Sequence, residues 1–200
     1  MTIEQKYIEM CGRASDINEH LPTLKRYAEE CEHVTEMGVC RVNSTWAFLA
    51  AHPLRMISYD FMLVDQIQEP LRMAKEEGWT DFVFKHEDVL SADIEETDLL
   101  FVDTFHHYLQ LKKELDLHSP VVRKYIIFHD TTLFEFQNEY LHDDAAREFR
   151  RLGKDRAIYD NHPTQGIWPA ISDFLNDNNN WRLKERFTNN NGLTVIERIA

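Results

Sequence analysis

Two short apolar runs, residues 98–103 and residues 124–129, constrain this chain more than any other feature. Both are rich in branched and aromatic residues, a pattern that predicts strands buried on both faces of a parallel sheet. Asp103 and His129 end these two runs, and His106 and Asp130 follow them. All four side chains can bind a metal or move a proton. In open α/β sheets the ligand lies just beyond the carboxyl ends of the strands. We therefore expect these side chains to meet in one crevice.

The rest of the chain alternates between predicted strands and predicted helices. Strands are predicted at residues 33–37, 56–59 and 81–85, and helices at residues 44–51, 64–77, 108–118 and 168–175. Two alternating runs, residues 181–187 and 193–199, flank an Asn-Gly step that predicts a β-hairpin. This order predicts an α/β fold, a Rossmann-like, doubly wound, mostly parallel seven-stranded sheet with a C-terminal antiparallel hairpin strand and N-terminal helices.

Two segments fall outside this alternation. Residues 1–31 predict helices that cover an edge or mouth of the sheet, with Asp16 as a helix cap. Residues 131–165 predict a polar helix over residues 134–152 and then a loop, which together form a substrate-side insertion. We expect residues 1–200 to form a single domain. The N-terminal helices could also pack against a second copy of the chain, so a homo-oligomer is an open alternative.

Composition narrows the classes of partner and compartment. The net charge of −13 argues against a nucleic-acid or anionic-membrane partner, because such binding needs clustered Lys and Arg. Cys11, Cys31 and Cys40 form no CxxC pair, which predicts reduced structural thiols rather than a zinc knuckle or a disulfide framework. No apolar run approaches the ~18 residues that span a bilayer, and no signal-peptide pattern is visible. We therefore expect a cytoplasmic protein with a small-molecule partner.

Several short motifs follow one another in a fixed order along residues 33–200. They are Glu36–Thr45, similar to Glu-x-Gly-x-x-x-Gly-x-Ser-Thr; Asp60, an acidic residue after the second strand; Asp103–Tyr108, similar to Asp-Gly-Asp-His-Ser-Tyr; Phe128–Thr131, similar to Phe-His-Asp-Thr; and the hairpin Asn190–Glu197. In this order they resemble class I S-adenosylmethionine-dependent methyltransferases. The closer resemblance is to the small-molecule O-methyltransferases that include cephalosporin-hydroxylase-like and macrolide-sugar enzymes.

The resemblance implies a set of residues that contact the cofactor S-adenosylmethionine. Glu36 would lie near the amino-acid end of the cofactor, and Gly38 would let the backbone approach it closely. Ser44 is predicted to cap the helix whose free N–H groups face the same place. Asp60 would accept the ribose hydroxyls, and Glu87 or Asp88 would contact the adenine edge. The residues alone also allow an ordinary strand-to-helix turn and a carboxylate that stabilises a helix N-terminus.

The resemblance also implies a catalytic centre at the ends of the fourth and fifth strands. Asp103 and Asp130 are candidate metal ligands, and their hard oxygens suit Mg²⁺. His129 is a possible third ligand, although imidazole suits softer metals better. His106 is the candidate general base together with Asp103, with His107 next to it as an alternative. N-capping by the two aspartates is the simpler structural interpretation.

We therefore predict an S-adenosylmethionine-dependent, metal-assisted O-methyltransferase that acts on a small hydroxylated molecule, a sugar or a natural product. Val42 stands where the resembled family has glycine, and Phe105 stands where it has a second acidic residue. A β-branched residue is poorly suited to positive φ, so either the loop takes another path or cofactor binding is weakened. The alternatives are a catalytically inactive methyltransferase-like binding protein and a metal-dependent hydrolase.

Overall fold

A seven-stranded sheet forms the centre of the protein in a computed structural model that describes residues 1–140, 147 and 156–199. Its strands are β1 (His33–Met37), β2 (Arg55–Asp60), β3 (Asp81–His86), β4 (Thr97–Val102), β5 (Val122–His129), β6 (Trp181–Phe187) and β7 (Leu193–Arg198). The order across the sheet is β3-β2-β1-β4-β5-β7-β6. Neighbours among β1 to β5 pair in parallel, whereas β7 runs antiparallel to both β5 and β6. The predicted fold class is thereby confirmed.

Helices cover both faces of the sheet. They are α1 (Ile3–Gly12), α2 (Leu21–Ala28), α3 (Asn43–Ala50), α4 (Gln68–Glu77), α5 (Tyr108–His118), α6 (Arg156–Asp160) and α7 (Trp168–Asp177). One hydrophobic core lies between the sheet and α1 to α4, and a second lies between the sheet and α5 and α7. Strands buried between two such layers need apolar residues on both faces, which explains the unbroken apolar runs of β4 and β5.

The strand order places a crevice at the carboxyl ends of β1 and β4. The chain runs outward from β1 through β2 to β3 and then returns to β4, so the order reverses between β1 and β4. In the ladders, Met37 is level with Val102, and Val102 is level with Phe128. The residues that come next, Asp103 and His129, therefore reach the same edge, where open α/β sheets bind their ligands.

Two local predictions are wrong. Asp16 does not cap a helix, because α2 begins at Leu21 after a 3₁₀ turn and has His20 at its N-cap position. The helix predicted over residues 134–152 is absent from residues 134–140, whereas residue 147 is helical; residues 141–146 and 148–152 lie outside the described residues. Residues 134–140 are not helical because the Phe134 and Glu135 carbonyl oxygens accept N–H groups from residues 167 and 168 instead. Within the described ranges, no helix is long and apolar enough to cross a bilayer.

Candidate active site

A glycine joins the end of β1 to the end of β4. Gly38 has a φ of +86°, and a Cβ built there would lie 1.9 Å from the carbonyl oxygen of Asp103. The Asp103 N–H donates to the Met37 carbonyl oxygen at 2.8 Å, which keeps the two chains in contact. Only glycine fits, because a side chain would collide with rigid backbone and would disfavour the positive φ. The turn after β1 and Asp103 are therefore held side by side.

The turn after β1 continues in the left-handed conformation. Cys40 has a φ of 45°, and Val42, the N-cap residue of α3, has a φ of 59°. A β-branched residue in this conformation carries strain of about 1–2 kcal/mol. The Val42 side chain is buried in the core, and this burial offsets the strain. The loop thus keeps a left-handed conformation that glycine would favour.

Glu36 lies inside the protein, away from the cavity described below. Its carboxylate accepts hydrogen bonds from the hydroxyls of Ser44 at 2.6 Å, Thr45 at 2.9 Å and Ser58 at 2.5 Å. Burial raises the pKa of Glu36 to about 7. Ser44 was expected to cap α3, but it lies one residue inside the helix and uses its hydroxyl on Glu36. The cluster ties β1, β2 and α3 together beneath the turn.

Asp60, at the end of β2, organises the same turn from the other side. Its Oδ2 accepts the N–H groups of Val39 at 2.9 Å and Cys40 at 3.2 Å, and its Oδ1 accepts the N–H of Met62 at 2.8 Å. A carboxylate that accepts several backbone N–H groups holds a loop in one shape. Asp60 therefore positions the turn at the crevice, and its Oδ1, which accepts one N–H, retains a lone pair for a ligand hydroxyl.

A cavity of about 390 Å³ opens beside this turn. Its volume lies in the range of small-molecule and cofactor pockets. One part of the wall is apolar and contains residues 61–64, Val89 and Phe105. The polar part contains Gly38, Asp60, Asp88, Asp103 and Glu139. Of the five residues predicted to bind the cofactor, Gly38, Asp60 and Asp88 thus line the cavity, whereas Glu36 and Ser44 support it from below.

Asp103, His129 and Asp130 come together at the ends of β4 and β5. One potential donor atom from each lies within 4.8 Å of the others. The Nδ1 of His129 lies 3.3 Å from Oδ1 of Asp103 and 3.4 Å from Oδ1 of Asp130. That Asp130 oxygen is buried and has no hydrogen-bond partner among the described residues. These three residues, the ones predicted as metal ligands, fit a divalent cation because it would satisfy the unpartnered oxygen.

His106 faces the same two carboxylates. Its Nε2 lies 3.3 Å from Oδ1 of Asp103 and 3.4 Å from Oδ2 of Asp130. Its other ring nitrogen, Nδ1, lies 2.9 Å from Oε2 of Glu139, which also accepts the backbone N–H of His106 at 3.0 Å. The ring stacks on Phe134 with centroids 4.8 Å apart. The imidazole is therefore fixed in an orientation that presents Nε2 to Asp103 and Asp130.

The neighbouring histidines have other contacts. His107 is the N-cap residue of α5, and its Nδ1 accepts the N–H of Leu109 at 3.1 Å. His162 stacks on Tyr108 with ring centroids 5.5 Å apart. Among His106, His107 and His162, only His106 is hydrogen-bonded to Asp103 in the described part of the chain. The geometry thus separates His106 from His107, which the sequence left open.

The turn of the C-terminal hairpin holds both flanks of this cluster. The N–H of Thr132, two residues after Asp130, donates to the Asn191 carbonyl oxygen at 2.8 Å. On the other flank, the Asn190 side chain donates to the Ser15 carbonyl oxygen at 2.8 Å. The hairpin turn therefore links the N-terminal segment to the segment that follows β5.

Protonated histidines balance the charge of the carboxylates. Burial disfavours the imidazolium of His106, but Asp103 and Glu139 raise its pKa to about 10. Burial likewise opposes the charge on His129, whose pKa Asp103 and Asp130 raise to about 9. Burial alone would raise the pKa of Asp103, yet His129 and His106 hold it well below its ordinary value. Burial raises the pKa of Asp130. A cation that binds here would displace protons from the cluster.

Comparison with known proteins gives matches in structure and none in sequence. No family model and no curated protein matches the chain. A candidate caffeoyl-CoA O-methyltransferase from Staphylococcus aureus superposes with a TM-score of 0.59 at 12% identity, over 99% of this chain and 92% of that chain. A candidate O-methyltransferase from Klebsiella pneumoniae gives 0.60 at 13% identity, over 99% and 90%. The O-methyltransferase TomG from Streptomyces achromogenes, solved with SAM, gives 0.57 at 13% identity, over 94% and 82%.

At such identities the likeness concerns the fold. Each match extends over nearly the whole length of this chain, so it includes the sheet, both helical layers and the terminal hairpin. The chain therefore has the Rossmann-like fold of class I S-adenosylmethionine-dependent methyltransferases.

Proposed function

We propose that this protein transfers a methyl group from S-adenosylmethionine to a hydroxyl group of a small molecule. One observation carries the proposal: Asp103 lines the 390 Å³ cavity and also hydrogen-bonds with His106. A cofactor in the cavity and a hydroxyl beside His106 would thus be neighbours. Methyl transfer needs little more from a protein than this positioning, because near-attack geometry alone can remove several kcal/mol of a barrier.

The cavity suits the nucleoside part of the cofactor. Asp60 would accept a ribose hydroxyl with the remaining lone pair of its Oδ1, and Asp88 would contact the adenine edge. The apolar wall at residues 61–64 and Phe105 would cover the base. Gly38 lets the backbone approach the cofactor, and Glu36 with Ser44 keeps this turn in place.

His106 is the proposed base, in the form that has lost its Nε2 proton because a cation has bound in the cluster. Nε2 would accept the proton of the acceptor hydroxyl while Nδ1–H donates to Glu139. Asp103, Asp130 and His129 would hold a divalent ion; the two carboxylates by themselves are compatible with Mg²⁺ and with other divalent ions. When bound, such an ion lowers the pKa of a coordinated hydroxyl. The deprotonated oxygen would attack the methyl carbon, and the C–S bond would break as the C–O bond forms, leaving S-adenosylhomocysteine.

The acceptor we propose is a sugar or another hydroxylated natural product. Residues 131–140 follow Asp130 and carry Glu139 to the cavity wall, so they are placed to contact it. A loop on a rigid sheet is where such specificity usually resides. A cytoplasmic setting and self-association remain predictions.

Calorimetry with S-adenosylmethionine and S-adenosylhomocysteine tests the cofactor assignment first. Binding should be seen with the wild-type protein and should be weakened in Asp60→Ala. A ligand at 100 times its Kd should stabilise the fold by ~2.7 kcal/mol in thermal unfolding. Absence of binding would favour a catalytically inactive binding protein.

Methyl transfer to a panel of hydroxylated acceptors tests the reaction. We expect Asp103→Ala and His106→Ala to lose turnover, whereas His162→Ala should retain it because His162 stacks on Tyr108 instead. If both of the first two variants turn over normally, the mechanism is wrong. A hydrolase that uses the same carboxylates is the second candidate, supported by the metal-binding group itself. It would require metal and would ignore the sulfonium donor.

A further inference from the structure

We infer that Asp103, His129 and Asp130 bind a first-row transition-metal ion such as Zn²⁺ in preference to Mg²⁺. The inference concerns the same site as the proposed function and specifies its metal. Two of the ligands are carboxylates, which bind most divalent ions. The third donor is an imidazole nitrogen, which favours Zn²⁺, Fe²⁺ or Ni²⁺ over Mg²⁺.

The two ring nitrogens of His129 have different partners. Nε2 lies 3.2 Å from the Asp16 carbonyl oxygen, which can only accept a hydrogen bond, so Nε2 carries a proton. Nδ1 faces the two carboxylates. Histidines that ligate metals typically donate their other N–H to a carbonyl or carboxylate oxygen, which fixes the tautomer and the ring orientation. His129 is therefore held ready to ligate through Nδ1.

The two distances from His129 Nδ1 to the carboxylate oxygens fit a small tetrahedral ion. Nδ1 of His129 lies 3.3 Å from one carboxylate oxygen and 3.4 Å from the other. Two donors on a tetrahedral ion with bonds of about 2.1 Å are separated by about 3.4 Å. Adjacent donors on an octahedral Mg²⁺ with bonds of about 2.1 Å are separated by about 3.0 Å.

The burial of His129 and Asp130 also favours a transition-metal ion over Mg²⁺. His129 is 2% exposed and Asp130 is 9% exposed, and Oδ1 of Asp130 has no hydrogen-bond partner among the described residues. Mg²⁺ dehydrates reluctantly and usually keeps several water molecules. An enclosed oxygen that faces an imidazole nitrogen is better matched by an ion that accepts mixed nitrogen and oxygen ligands.

Metal titration of the full-length, metal-free protein tests this inference without an activity assay. Affinities for Co²⁺ and Mg²⁺ are measured by calorimetry on the wild type and on His129→Asn, in which an amide oxygen replaces the Nδ1 donor. We expect the ratio of Co²⁺ to Mg²⁺ affinity to fall at least roughly tenfold in this variant. The matched control is His118→Asn, an equally buried histidine whose Nε2 contacts the Val89 carbonyl oxygen and which faces no carboxylate pair. Its ratio should match that of the wild type.

The visible spectrum of Co²⁺ bound to the wild type provides a second measurement that does not depend on variants. Intense ligand-field bands of a four-coordinate ion would support the inference, and the weak bands of an octahedral ion would overturn it. An unchanged affinity ratio in His129→Asn, or no metal binding to the wild type, would also overturn it. S-adenosylmethionine binding is measured on the same samples. If the wild-type protein binds metal as expected but does not bind S-adenosylmethionine, the methyltransferase proposal is refuted and the metal assignment stands.

Discussion

The close approach of β1 and β4 at Gly38 can be tested with three glycine-to-alanine substitutions that differ in one factor at a time. Gly12 has no positive φ, and a Cβ there meets nothing within 4 Å. Gly78 has a φ of +72° and also has open space around it. Gly38 has a φ of +86° and a Cβ position 1.9 Å from a backbone oxygen. The series therefore separates left-handed strain from steric overlap.

The expected loss of stability in each variant follows from left-handed strain and steric overlap. Gly12→Ala, at the end of α1, should change stability by less than about 1 kcal/mol, since alanine favours helix. Gly78→Ala should cost about 1–2 kcal/mol for the left-handed conformation alone. Gly38→Ala carries the same strain plus overpacking of about 1–3 kcal/mol, because the opposing carbonyl belongs to Asp103, which directly follows β4 and is held by its own N–H to the Met37 carbonyl oxygen. We expect a total of about 2–5 kcal/mol.

Urea denaturation and thermal unfolding measure these differences. For a chain of this size each kcal/mol lowers Tm by about 2–4 °C, so Gly38→Ala should melt clearly below Gly78→Ala. Gly38→Ala should also lose S-adenosylmethionine binding, whereas Gly78→Ala should keep it because Gly78 ends α4, away from the cavity. Equal destabilisation of the two variants would refute the claim that β1 and β4 leave no room for a side chain.

Three further predictions concern two acidic residues, Glu36 and Glu139, and the left-handed turn. Burial raises the pKa of Glu36 to about 7, so its contribution to stability is greatest below its unfolded value and is lost as pH rises through about 7. Glu36→Gln should thus be more stable than the wild type at about pH 8, by roughly 3 kcal/mol, and the gap should close near pH 5; a pH-independent gap in urea unfolding would contradict this. Glu139→Gln should lower the pKa of His106, measured by NMR titration, because the Glu139 carboxylate helps to raise it; His162→Gln serves as the control. Val42→Gly should remove about 1–2 kcal/mol of strain and about 1.5–3 kcal/mol of burial, giving a small net loss in unfolding experiments, and a large gain in stability would argue against the buried, left-handed valine.

The strands of the sheet were predictable because burial on two faces requires an unbroken run of apolar residues. β1 at residues 33–37 and α5 at residues 108–118 have the predicted bounds. The convergence of Asp103, His106, His129 and Asp130 was predictable as well, because parallel strands in register end at one edge. The Asn-Gly step and the helix stop at Gly78 follow from local backbone conformation.

Contacts that depend on the packing of distant segments were not predictable. Glu139 lies in a stretch that propensity favoured as helix, and its contact with His106 exists because residues 134 and 135 are bound to residues 167 and 168. Ser44 looks like a helix cap in sequence, but the buried carboxylate of Glu36 takes its hydroxyl. In both cases a side chain from another element outweighs the local preference.

The hairpin turn at residues 189–192 is synthesised after all the residues of the candidate site. This turn binds the backbone after Asp130 and the N-terminal segment that carries the Asp16 carbonyl oxygen. The cavity between β1, β2 and β4 uses none of these contacts, and the last residue of its wall along the chain is Glu139. A nascent chain would therefore contain every residue of the cavity wall, and all three candidate metal ligands, before it contains this turn. The contacts that fix the candidate metal ligands thus depend on one of the last segments to be synthesised.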